Sequence, residues 1–159
     1  MKTYLSKSNH SDPELVAHVR KYLTNLGHEI VEFTGGEYTN KPLVTSDYLV
    51  IVPPAKITPK DDNTWSYAES AEDYDIGKGQ TEQIKDFALS KEQGAGSKNH
   101  IDNIMDEDGP TIWSDRIFCI HSVNANENPI QVNACYIDGY TPYDKGNWKD
   151  QFPKATLEN

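Results

Sequence analysis

The chain has 159 residues, 36% of them hydrophobic, and a formal net charge of -10 at pH 7. That length suits one ordinary domain, able to bury a core without disulfide or metal staples. The charge argues against a nucleic-acid polymer as partner, because a phosphate backbone would be repelled, and no apolar run approaches the ~20 residues of a membrane span.

The N-terminus, Met1-Lys2-Thr3-Tyr4-Leu5, lacks the longer apolar core of a signal peptide, so a cytoplasmic protein is expected. Residues 3–6 read as a short strand, followed by the polar loop Ser6-Lys7-Ser8-Asn9-His10. Ser11 or Asp12 then caps a helix, with Pro13 in its first turn and Glu14 matching its dipole. Leu15, Val16, Val19, Tyr22, Leu23 and Leu26 recur at helical spacing, and Gly27 closes the helix. Residues 28–33 read as the next strand. Strand, helix, strand predicts a βαβ unit and a parallel sheet, hence an α/β fold.

Residues 48–52 form a continuous apolar run, the pattern of a buried parallel strand. Pro53-Pro54 ends it. The connection at about 54–76 is polar, carries Trp65, Tyr67 and Tyr74, and reads either as a lid or as a solvated insertion. Residues 80–92 predict a second helix with Ile84, Phe87 and Ala88 on its inner stripe. Residues 117–120 and 130–137 predict two strands of an antiparallel C-terminal hairpin, turning at 124–129. From about 139 the tail reads as irregular. Cys119 and Cys135 read as buried thiols on neighbouring strands. No cysteine or histidine cluster has zinc spacing, so neither metal nor cofactor is expected.

In an open α/β sheet the ligand crevice lies outside the C-terminal ends of the strands. The Ser6–His10 loop, the segment from Pro53 onward and the turn Asp75-Ile-Gly-Lys-Gly-Gln-Thr-Glu82 are expected to meet there. Gly77 and Gly79 punctuate the entry to the second helix, and Glu82 is expected in its first turn. A helix N-terminus offers unpaired N–H groups and about half a positive charge, which holds an acid ionised. Such a carboxylate suits a nucleophile or a group that grips a ligand. A dipole-matched surface glutamate has the same sequence signature.

These residues resemble the nucleoside 2-deoxyribosyltransferase-like superfamily, including its nucleotide N-glycosidase members. The likeness rests on a first strand ending in Tyr-Leu before a polar loop. It rests also on a later strand introduced by Ser46-Asp47, and on an acid, a Gly-x-Gly and a glutamate opening a helix. It spans roughly residues 3–90. The resemblance implies a flavodoxin-like (Rossmann-like) three-layer fold with a mainly parallel sheet, and one domain over residues 1–159. It implies N-glycosyl transfer or hydrolysis on a small nucleoside or nucleotide, with Glu82 attacking the sugar and Asp75 assisting the departing base. Ser6, Ser8, Asn9, His10, Asp47, Gly77 and Gly79 would bind substrate, and the protein would assemble as a homo-oligomer.

The chemistry is sound for that pair: a carboxylate can trap the oxocarbenium centre that develops when an N-glycosidic bond breaks. Three departures keep a second reading open. Ser6-Lys7-Ser8 stands where the family usually has glycine, no acid stands shortly before the Asp47 strand, and the glycine-to-glutamate spacing is one residue longer. One residue turns a helix by about 100°. The second reading is a non-catalytic nucleotide-binding module on the same fold. The third is an acidic partner-binding or inhibitory protein.

Overall fold

The computed structural model describes residues 1–54, 63–66, 76–91, 99–102, 109–141 and 154–157. Strand β1 (Lys2–Lys7) leads into helix α1 (Pro13–Asn25) and strand β2 (Glu29–Val31). The Asp12 carboxylate accepts the amides of Glu14 and Leu15, which satisfies two of the helix's otherwise unpaired donors. Gly27 takes a φ of 92° after the last turn, a conformation glycine adopts without strain. The short helix α2 (Lys41–Val44) precedes β3 (Tyr48–Val52).

After β3 come β4 (Thr64–Ser66), α3 (Lys78–Ser90), β5 (His100–Asp102), β6 (Thr111–Asn124), β7 (Gln131–Tyr140) and β8 (Lys154–Ala155). The sheet runs β2-β1-β3-β6-β7-β8, with β4 and β5 both pairing β6. Its centre is parallel: β1 with β2, β1 with β3, and β3 with β6. Its margin is antiparallel, through β4–β6, β5–β6, β6–β7 and β7–β8.

The sheet is therefore mixed rather than mainly parallel, which corrects the sequence expectation. The physical reason is the length of β6. Its fourteen residues reach past β3, and the overhanging ends recruit β5 on one side and β4 on the other. The expected hairpin is present as β6–β7. The long connection is not wholly unstructured, since Thr64–Ser66 forms β4 and buries Trp65. Nor is the tail wholly irregular, since Lys154–Ala155 pairs β7 and Leu157 is buried.

Side-chain alternation along the central strands splits the core in two. Leu5, Val50, Val52, Phe118 and Ile120 pack with Leu15, Val16, Val19 and Leu23 of α1. Tyr4, Leu49, Ile51, Ile117 and Cys119 pack with Ile84, Phe87 and Ala88 of α3. Burying each large apolar side chain of these stripes contributes about 2 kcal/mol. The result is helix, sheet, helix, with the chain reversing direction across the sheet at β1.

Candidate functional site

The connections leaving β1 and β3 diverge where the strand order reverses, the place where such sheets form a crevice. A cavity of about 120 Å³ lies there, lined by Ser6, Lys7, Ser8, Asn9, Phe33 and Gln83 among others. The first loop is tied down before any ligand arrives. Ser8 donates its amide to the Ser11 hydroxyl (3.0 Å), and the Ser8 hydroxyl accepts the His10 amide (3.0 Å). The Ser11 hydroxyl in turn donates to the Val52 carbonyl (2.8 Å), locking the loop to β3. His10 itself is exposed and does not line the cavity.

Helix α3 enters beside this loop. Gly77 is needed there for close approach, because a Cβ at that position would stand 3.2 Å from Ser8 Cβ and 3.0 Å from Gln80 Oε1. Gln80 is buried and satisfies three backbone groups. Its oxygen accepts the Gly77 amide (3.0 Å), and its Nε2 donates to the carbonyls of Val52 (3.0 Å) and Ser6 (3.3 Å). One side chain thus pins α3 to the ends of β1 and β3. Gly79 is exposed, with open space around it, and takes no part in the crevice.

The expected nucleophile lies elsewhere. The Glu82 side chain is 62% exposed and pairs with Lys85 at 3.3 Å. The crevice wall is instead Gln83, whose side-chain oxygen accepts a hydrogen bond from the Ser6 hydroxyl. The residue that faces the cavity is one further along the helix than Glu82, and it is an amide. Asp75 lies outside the described residues. Asp47 stands at the opposite end of the sheet, before β3, where its carboxylate accepts the Lys2 amide (2.9 Å). Five strand residues, about 17 Å of extended chain, separate it from the crevice end.

Three contributors escaped the sequence reading. Gln83 is one, and Phe33 and Tyr38 are the others. These two rings lie edge to face at 5.8 Å, and they are 42% and 43% exposed. The turn between them carries Gly35 and Gly36, both at positive φ. Tyr38 also hydrogen-bonds Gln83, while partial burial raises its phenol above the ordinary value. The signal for the aromatic pair was the pairing of two rings around a double glycine in a polar segment. The signal for Gln83 was the buried stripe of α3 itself.

Charge beside the crevice is partly compensated. Glu32 binds Lys7 (2.7 Å) and receives two bonds from Arg20 (both 2.8 Å). Hydrogen bonding by Arg20, then by Lys7, holds the Glu32 carboxyl down at about 2 despite its burial. Two cations meet one anion in this cluster, while the Asp86 carboxylate acts on Tyr38 nearby. Burial, with Tyr38 and Glu32 nearby, pushes the Tyr4 phenol up to about 12, so that lining residue stays neutral.

Among the described residues no three His, Cys, Asp or Glu gather as metal ligands, and no helix is long and apolar enough to cross a membrane. No family model matches the chain, and neither a curated protein nor a solved structure does.

Proposed function

We propose that this protein is a nucleotide-binding module on a flavodoxin-like fold, one that holds its ligand without cleaving the glycosidic bond. The observation that carries this reading is Gln83 against Ser6 in the crevice wall, with Glu82 turned to solvent. A neutral amide cannot attack a sugar carbon or shield an oxocarbenium charge as a carboxylate does. It can donate and accept hydrogen bonds, as hydroxyl-rich ligands require.

The cavity bounds the pose. About 120 Å³ is below the roughly 300–1,000 Å³ of most small-molecule sites. It takes one part of the ligand, the sugar or phosphate, beside Ser6, Asn9 and Gln83. The base then lies outside, against the exposed Phe33 and Tyr38, where stacking on an aromatic face contributes roughly 1–3 kcal/mol. Lys7, the cation that lines the cavity, favours a nucleotide over an uncharged nucleoside.

The test pairs calorimetry with chromatography. A panel of nucleosides and nucleoside monophosphates is titrated into the protein, then incubated and assayed for free base. Binding of a monophosphate with no base released supports the module. Base release that vanishes in Glu82→Ala overturns it in favour of a glycosidase. Failure to bind any member of the panel removes the nucleotide reading altogether.

A further inference from the structure

A second cavity, of about 180 Å³, opens at the other end of the sheet on the α1 side. Its walls include Tyr48 of β3, Phe118 of β6, Tyr136 of β7, His28, Asp115 and the C-terminal Leu157. The register builds it. Val50 pairs Phe118 and Phe118 pairs Tyr136, so three neighbouring strands present these side chains in one row. Tyr48, two residues before Val50, joins the row on the same face.

The rings do not stack flat on one another. Tyr48 and Phe118 meet at 68° with centroids 5.6 Å apart, and Phe118 and Tyr136 meet at 49° and 5.0 Å. The three rings form one packed row along the wall of the cavity, each tilted steeply against the next. Phe118 is nearly buried, while Tyr48 and Tyr136 are half-buried, so the void reaches solvent. At the rim stands the Asp115 carboxylate, with an amide of Asn99 at 3.3 Å. His28 is buried, with its Nδ1 engaged by the Thr3 hydroxyl at 2.6 Å, so the ring is held in place.

Aromatic faces carry negative potential and attract weakly hydrated cations, and a carboxylate at the mouth adds to that attraction. A neutral apolar ligand gains nothing from Asp115, and an anion is repelled by it. A compact ammonium such as that of lysine is strongly hydrated, whereas a methylated one sheds water readily and fills space between rings.

We propose that the Tyr48–Phe118–Tyr136 cavity is a binding site for a quaternary ammonium head group, closed by Asp115. It lies at the end of the sheet opposite Ser6 and Gln83, and it is independent of the nucleotide reading.

The experiment titrates choline chloride into the full chain, followed by aromatic carbon-detected NMR and calorimetry, with sodium chloride as the ionic control. Its uncharged tert-butyl analogue, carbon replacing nitrogen, is run alongside. Choline is expected to shift the Tyr48, Phe118 and Tyr136 resonances and to bind about tenfold more tightly than the analogue. Asp115→Asn, at an exposed position, should weaken choline several-fold and leave the analogue unchanged. Tyr136→Leu should abolish the preference for charge while far-UV dichroism stays native. A peptide bearing trimethyllysine carries the same head group. Tighter binding of the peptide or of choline assigns the source, and either supports the cage. Equal binding of choline and its neutral analogue overturns the proposal, as does choline binding unaffected by both variants. Absence of any shift at the three rings overturns it too.

Discussion

The Gln83 side chain accepts the Ser6 hydroxyl across the gap between α3 and β1, while Glu82, its neighbour in sequence, reaches outward to Lys85. The two residues differ by one methylene-linked functional group of nearly equal shape. Their positions on the helix decide which one a ligand meets.

Substitution at these two positions should therefore separate cleanly. Gln83→Ala is expected to weaken nucleoside monophosphate binding about tenfold, the scale of one or two lost hydrogen bonds. Glu82→Gln should change affinity less than about twofold and stability by less than about 0.5 kcal/mol, as for other exposed pairs one turn apart on a helix. Calorimetry gives the affinities and urea denaturation the stabilities. Equal losses from both variants would place Glu82 in the site after all.

Gln80 carries a structural load in the same turn. Gln80→Ala deprives the Gly77 amide and the Ser6 and Val52 carbonyls of a partner in a buried setting. About 2 kcal/mol of stability should be lost, read as a lower urea midpoint with an unchanged slope. Gln80→Glu should cost more than alanine. It keeps an acceptor for Gly77 but brings a carboxylate oxygen against two carbonyls, with no donor between them. A glutamate variant as stable as the parent would mean that the amide does not bridge β1 and β3.

How much of this was legible in the sequence depends on which interactions are local. Helix α1 announces itself through Asp12, Pro13 and the spacing of Leu15, Val16, Val19 and Leu23, and each acts within a turn or two. Strand β3 is a closed apolar run. By contrast β4 and β8 are three and two residues long, and contacts far along the chain, with β6 and β7, hold them in place. No local propensity marks such strands. The site was half legible. The Ser6 loop and the α3 entry do meet, as the parallel strands require. Yet Gln80, Ile84 and Phe87 fix the buried face of α3, and Glu82 lies roughly 200° of helical rotation beyond Gln80, far from that face. The rotation was readable.

The Lys7–Glu32–Arg20 cluster gives a pH-dependent contribution. The folded-state value of Glu32, about 2, is below its ordinary 4.5. The stabilisation is therefore fully present above about 4.5 and lost as pH falls toward about 2. The Glu32 side chain is only 17% exposed, but Arg20 and Lys7 are 39% and 37% exposed, so solvent screens the pairs. Discounting for that, Glu32→Gln should cost about 1–2 kcal/mol at neutral pH. The parent and variant stability curves should converge on acidification. A difference that persists undiminished at the acid end would assign the loss to packing rather than charge.

The two thiols test the sheet itself. Cys119 and Cys135 are register partners across β6 and β7, both buried, with the Cys135 thiol 3.8 Å from the Cys119 carbonyl. Burial pushes the Cys119 thiol well above its ordinary value and the Cys135 thiol up to about 12. Only the thiolate is nucleophilic, so neither should alkylate in the folded protein at mildly alkaline pH. Both should react on unfolding, and in native buffer their labelling rate should follow the global opening of the sheet. Mass spectrometry after timed iodoacetamide exposure reads this directly. Concerted labelling of both residues, tracking the urea stability, is the expected result, because β6 is the strand on which β3, β4, β5 and β7 all converge. Labelling of Cys135 alone, well before global unfolding, would mean that β7 and β8 open as a separate unit from the parallel centre.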